Sequence, residues 1–541
     1  MRTVHRTALR LAGSAVCLAV VAASLGGCKV NARDVSEWKD TAKGPGKMVA
    51  LLKSDRYSLA LRTDAAAALV EMNRNDVNGV QMLDKAMTQL GQSAPGAAAK
   101  IADALAPRLE ATLKADSKPG HTTPESIRAK DAAFLLLRSG TVQGASRELL
   151  THALIHWYAE DFAGRSLSGD FSAEQTVRAL GPPAASQLVD ALNARMPQQA
   201  LVRIASLIAH VGDAATKQRA AKRLVEIEKR MEHPEFLKWL EDQVRTALAN
   251  SAGEEGDAGE PAADEAQVEQ AATLNRENFI NQGALRALQE LAGEPEARAR
   301  LLAVATQAPP KDTPADQAEV LDERRQQALR SLQGQVDEAQ LDTMLALALD
   351  PSNSVELRDY AFDRIDDIHS TRALPKLWPL VEEPGCTRRP CSPADELAKR
   401  LRWRAGELVL SIGGPEVVDT FLDRLPNAPG VEYEPEELAG YATRISEMAT
   451  VPLERMREAL KSPRWQVRAI AIELLARKGT KADLARLEAA THDATPVVGE
   501  GWKHQDPEIK TVGNVASAAL NTLGQRINNA TRSGAPTPTA N

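Results

Sequence analysis

One spacing recurs through this chain and limits what it can fold into. A basic or polar residue is followed by small or apolar residues at +3 and +4 and by a large aliphatic at +7. It appears as LRTDAAAAL at Arg62, with Ala65, Ala66 and Leu69, and as TKQRAAKRL at Lys217. It returns as INQGALRAL at Asn281, RRQQALRSL at Arg325, LRDYAFDRI at Arg358, LRWRAGELV at Arg402 and VRAIAIELL at Arg468. A partial copy sits at Arg128, with Ala132 and Leu135, and a last one, VGNVASAAL, has Gly513 in the basic position. Apolar positions at i, i+3, i+4 and i+7 are the signature of a buried helix face. Alternating β-branched runs are nearly absent, and aromatics are only 4% of residues. A chain of 541 residues is too long for one hydrophobic core. The copies from 281 to 513 lie 44, 33, 44, 66 and 45 residues apart. These intervals read as one repeat unit, or one and a half where an insertion sits.

The pattern resembles the HEAT repeat, an armadillo-type helix pair of about 40 residues whose second helix carries Val-Arg-x-x-Ala-Ala-x-x-Leu. The resemblance implies an all-α fold, an α-solenoid of stacked helix pairs. Small residues at +3 and +4 let helices approach, the +7 aliphatic fills the gap, and the arginine reaches acidic or carbonyl groups of a neighbouring unit. Gly44-Pro45, Gly181-Pro182, Asp350-Pro351, Gly414-Pro415, Ser462-Pro463 and Asp506-Pro507 mark helix starts, where proline's missing N–H costs nothing. Two arrays are expected, over 38–249 and 273–527. The stretch 95–212 fits the pattern worst.

Between the arrays, residues 250–272 carry seven acids and no base, with Val268 as the sole large aliphatic. Such a stretch cannot offset its ordering entropy by burial, so disorder is expected there. The tail 528–541 is expected to be disordered too. Two connections, 426–437 and 493–508, are long enough to suggest function.

The first residues, MRTVHRTALR LAGSAVCLAV VAASLGGC, join three arginines to an apolar run from Leu11 to Leu25. The run is shorter than the roughly 20 residues a spanning helix needs and has the build of a secretory leader. Leu25-Gly26-Gly27-Cys28 resembles the lipobox of bacterial lipoproteins. The resemblance implies a signal peptide over 1–27, removed before Cys28, and diacylation of the Cys28 sulfur, with palmitate-like chains holding the chain at the membrane. Lys29, rather than aspartate, after the cysteine implies the periplasmic face of the outer membrane. A tether over 28–37 spans about 17–19 Å if flexible. Loss of the leader moves the formal charge from −7 to −10, which leaves no electrostatic footprint for nucleic acid.

No P-loop, G-x-S-x-G, H-E-x-x-H or G-x-G-x-x-G motif occurs, and the sequence implies no cofactor and no enzyme. His152 and His156, four apart, have the spacing of two imidazoles sharing a metal, yet they flank an apolar stripe of Leu150, Ala153, Leu154 and Trp157. A metal-dependent enzyme built on them is the alternative reading. Cys386 and Cys391, in PGCTRRPCSP, admit a metal clip, a dithiol or a disulfide. The zinc reading lacks further ligands, and an exported chain meets an oxidising compartment, which favours a disulfide holding Arg388 and Arg389 out to solvent. Trp502 and Lys503 in the second long connection have the make-up of a binding hot spot. The expected function is a lipid-anchored scaffold that binds other envelope proteins. A spacer within the cell envelope is a further alternative.

Overall fold

The arginine of the recurring motif explains itself once the helices are placed. In a computed structural model, which describes residues 30–74, 76–116, 120–254, 264–505 and 507–532, Arg62 Nε donates to Leu52 O at 2.9 Å. Arg358 Nε donates to Ala348 O at 2.8 Å, and Arg325 Nε to Ala305 O at 3.1 Å. Each acceptor lies in the last turn of the helix before the arginine's own. Carbonyls there have no intrahelical donor, and the helix dipole favours a cation beside them. The motif therefore closes a helical hairpin: one side chain caps the first helix from the second. Arg402 and Arg468 also reach forward into the next pair, to Glu437 and Asp493, as the sequence suggests.

The fold is an α-solenoid built of such pairs, in two compact units. The first comprises the described residues up to Ala272 together with Gln282–Leu291; the second comprises Thr273–Asn281 and the described residues from Ala292 on. Among the described residues, the first unit pairs Gly44–Lys53 with Leu59–Glu71, Gly79–Ser93 with Pro95–Ala115, and Pro124–Arg138 with Gly144–Glu160. Ala173–Leu180 then pairs with Pro182–Ala191, and Gln198–Val211 with Ala214–Met231. First helices pack on first helices and second on second. The stretch 95–212 is thus regular. Its motif is masked because Arg128 sits on a first helix, whereas the hairpin-closing residue of that pair is Arg147, whose Nη1 donates to Leu137 O at 2.9 Å.

The second unit pairs Pro295–Thr306 with Ala315–Ser331, Leu341–Leu349 with Val355–Ile368, and Leu374–Val381 with Pro393–Gly413. Val418–Arg424 with Pro435–Ser446, Leu453–Ala459 with Trp465–Lys478, and Leu484–Ala490 with Val512–Arg532 complete it. Its second helices pack one on the next as a continuous row. The motif positions at +3, +4 and +7 form the core: Ala328, Leu329, Leu332, Ala361, Phe362, Ile365, Ala471, Ile472 and Leu475 are all fully buried.

Several sequence expectations change. The 66-residue interval from Arg402 to Arg468 holds a complete additional pair, not half of one. Its second helix buries Tyr441, Ala442 and Ile445 at +3, +4 and +7, with Leu438, also buried, where arginine is expected. In the last copy, Leu520 is only half-buried. Gly513 lies where a Cβ would come within 2.4 Å of Thr491 O, and its N–H donates to Asp493 O at 2.9 Å. Backbone there, not an arginine side chain, ties the second helix to the connection before it. Pro45, Pro182 and Pro415 sit in first turns, whereas Pro351, Pro463 and Pro507 lie in the connections before the next helix.

The stretch 250–272 is helical at both ends, in Pro234–Glu254 and Glu265–Asn278, and Val268 and Ala272 are buried. Its central residues, 255–263, lie outside the described residues. Helix also replaces the flexible tether from Ala32 on. Asn31 accepts from Arg33 N at 2.8 Å and Asp34 N at 3.2 Å, and Asp34 returns the bond to Asn31 N at 2.9 Å, a capping box. The last helix runs to Arg532, into the tail read as disordered. Residues 1–29, with Cys28, and 533–541 are outside the described residues. No described helix is long and apolar enough to cross a membrane.

Candidate docking groove and loop edge

Three connections of the second unit meet on one edge. They join the first and second helices of the third, fourth and sixth pairs: residues 382–392, 425–434 and 491–511. The disulfide Cys386–Cys391, with Cα atoms 5.5 Å apart, closes the first loop. The second loop crosses it: Glu432 N–H donates to Cys386 O at 3.3 Å. Gly430 makes the crossing with φ +84°, where a Cβ would stand 2.3 Å from Thr387 O, so only glycine fits. The third loop closes over the second, with Tyr433 N–H donating to Val498 O at 2.8 Å and Gly501 N–H to Glu434 Oε2 at 2.6 Å, and reaches the first through Glu500, 3.8 Å from Arg389.

Side chains weld this edge from beneath. Arg402, fully buried, makes a two-point bond to buried Glu437 at 2.8 and 2.9 Å. It also donates to Pro384 O at 2.7 Å and Glu432 O at 2.6 Å, and its guanidinium lies 4.2 Å from the Tyr433 ring centroid. Burial opposes the charge on Arg402, but Glu437 outweighs it and holds the pKa above the ordinary arginine value. Tyr441 donates to Glu437 Oε1 at 2.9 Å, and burial pushes its hydroxyl well above the usual phenol range. All the lone pairs and N–H groups that matter are engaged, the condition for a buried ion pair to be tolerated.

The predicted site residues fall differently from their expected roles. Arg388 is exposed. Arg389 is not free: it bonds Glu432 at 2.8 and 2.7 Å, and that hydrogen bond raises its pKa. Its acceptor lies 43 residues downstream, so no local reading finds it. Trp502 is no exposed hot spot. It is 4% exposed, its Nε1–H donates to Tyr433 O at 2.7 Å, and it meets Trp465 edge-on. Lys503 stays exposed and pairs with Glu500 at 3.0 Å. Among the described residues, Cys386, Cys391 and Glu432 are the sole group of three whose ligand atoms come within 4.8 Å of one another. Here the sulfurs are bonded to each other and the carboxylate to Arg389. His152 and His156 are exposed and stacked, with centroids 5.7 Å apart, beside Asp190, Asn193 and Arg223. His156 Nδ1 lies 3.3 Å from Glu160, but no third ligand converges on the pair among the described residues. The cation Arg223 opposes a metal there.

Beside the loop edge, the row of second helices opens a groove of about 940 Å³. Val355, Pro393, Leu397 and Trp403 give it an apolar floor. Its charged walls are tied in pairs: Arg400 to Asp359, Arg404 to Asp363, and Lys399 to Glu434 at 2.8 Å and Glu396 at 3.1 Å. Burial alone would lower the Lys399 pKa, but its bonds to Glu434 and Glu396 raise it. Glu434, which burial would push up, is held low by Lys399 and the Gly501 N–H. Trp403 is half-buried, and its Nε1–H donates to Glu407 Oε1 at 3.1 Å. These groove residues went unnoticed in the sequence because Trp403 falls between the motif positions Arg402 and Ala405. The signal was present: Glu396, Trp403 and Glu407 stand at i, i+7 and i+11, one helix face.

No known protein family matches this chain, and no curated protein matches it. Among solved structures it is similar to importin beta, crystallised in a polyethylene glycol condition, at 12% identity and a TM-score of 0.25, over 91% of this chain and 67% of that one.

Proposed function

We propose that this chain is a protein-binding scaffold of the bacterial cell envelope, carried by lipid on Cys28 at the periplasmic face of the outer membrane. The observation that supports it is the groove on the second-helix row. It offers a half-buried aromatic on an apolar floor between charges already fixed in pairs, the composition of a docking surface. A stack of helix pairs supplies such a surface without any catalytic constellation. Two measurements test the reading. Crosslinking in intact envelopes followed by mass spectrometry is expected to return a reproducible partner protein. No reproducible partner would sink the scaffold. Separately, Cys28→Ser is expected to move the protein from the membrane to the soluble fraction. A variant that stays with the membrane removes the lipid anchor.

A further inference from the structure

We infer that the groove takes a cationic segment of a partner polypeptide, with an apolar residue between basic ones. The inference rests on the scaffold reading for its biological setting, and on charge for its chemistry. Six carboxylates line the groove against three cations. All three cations already have partners inside the wall, and Glu437 is neutralised from below by Arg402. The surplus falls on Glu396 and Glu407, which share Lys399 and Arg404 with other acids. Trp403 stands between them on the same helix. Its indole is fixed by the bond to Glu407, so its face is presented in one orientation to whatever enters. A ring face flanked by carboxylates attracts an ammonium or guanidinium group.

Distance sets the pattern of the occupant. Eleven residues of helix separate Glu396 from Glu407, about 16 Å at 1.5 Å per residue. An extended strand covers that in about five residues at 3.3 Å each. A partner segment with basic residues about five apart, and an apolar one between them over Leu397 and Trp403, fits both carboxylates at once. The acidic character continues along the row. A neighbouring hollow around Tyr360 is lined by Asp363, Asp366 and Asp367, with Arg330 and Arg364. Arg364 is turned inward, donating to Leu329 O at 2.9 Å.

The test uses the full-length protein in detergent and a fluorescein-labelled hexapeptide with lysine at both ends and leucine near its middle. Fluorescence anisotropy is expected to show binding that weakens with salt, and no binding of a control peptide with glutamate in place of lysine. Trp403→Ala is expected to weaken binding about ten-fold. Because that change removes packing, Glu396→Gln with Glu407→Gln supplies a second arm that alters charge alone. It is expected to weaken binding and flatten its salt dependence, whereas Glu454→Gln, on a distant exposed face, leaves both unchanged. Equal binding of the glutamate peptide, or binding indifferent to the Trp403 and Glu396/Glu407 changes, overturns the inference. The two readings fail separately. Envelope crosslinks confined to another face discard the groove and keep the scaffold, whereas peptide binding at the groove without any envelope partner does the reverse.

Discussion

At the scale of single residues, the most consequential side chain is Arg402. It is the one motif arginine whose charge is answered by a fully buried carboxylate, Glu437. Removing one partner of a buried pair strands the other, at a cost of about 3–5 kcal/mol, whereas replacing both with apolar residues is often neutral. Arg402→Met is therefore expected to lower the urea midpoint of the second unit sharply, and Arg402→Met with Glu437→Leu to recover most of the loss. Additive losses in the double variant would show that the pair acts through its carbonyl contacts, not through charge. Glu434 makes a separate, pH-dependent contribution. Its folded pKa lies below the ordinary glutamate value of 4.5, so its stabilisation is full above pH 4.5 and fades as pH falls through the lowered folded value. Thermal melts between pH 7 and pH 3 are expected to show a shallower acid slope for Glu434→Gln than for the natural protein. An unchanged slope would remove Glu434 from the acid response. Residue roles like these were the least legible part of the sequence. The motif shows that Arg402 matters, but its acceptor sits 35 residues away on a helix that lacks the motif.

At the scale of elements, the sequence was far more readable, and the reason is periodicity. A buried helix face repeats every three or four residues, so Arg325, Ala328, Leu329 and Leu332 declare one helix without any knowledge of what it packs against. What periodicity cannot tell is whether an arginine closes its own hairpin or joins two pairs. Arg358 is the clear hairpin case. It is 4% exposed, and its Nε–H satisfies the Ala348 carbonyl. Arg358→Met keeps the stem and removes the donor, an expected cost of about 1.5–3 kcal/mol. Lys217 occupies the same motif position in the first unit but is only half-buried, so Lys217→Met is expected to cost about 0.5 kcal/mol or less. Urea unfolding followed by circular dichroism compares the two, and equal losses would mean that the basic position has no hairpin-closing role. The acidic stretch 250–272 shows the opposite failure. Composition argued for disorder, yet Val268 and Ala272 find burial because a helix needs only one apolar face, and a two-residue stripe supplies it.

At the scale of the whole molecule, the chain passes between the two units more than once, which composition does not show. Helix Glu265–Asn278, the π-helical turn Phe279–Ala284 and helix Leu285–Glu290 follow one another without a break. Along them, Thr273–Asn281 belongs to the second unit and Gln282–Leu291 to the first. Within the first unit, Leu285–Glu290 packs against Gln198–Val211 and Ala214–Met231, with Ala284, Leu285, Ala287 and Leu288 fully buried. Within the second, Glu277 binds Arg324 through two bonds of 2.8 Å. No single cut can then serve both units. An N-terminal fragment ending at residue 272 loses three buried leucines, Leu285, Leu288 and Leu291, each worth about 1.5–3 kcal/mol, relative to one ending at 291. A C-terminal fragment starting at 292 loses the Glu277–Arg324 bonds that one starting at 273 keeps. The expected result is a higher urea midpoint for fragment 30–291 than for 30–272, and for 273–532 than for 292–532. Coincident curves within either pair would show that the crossing residues add nothing to the unit they pack in. The boundary between the two units would then fall at residue 272.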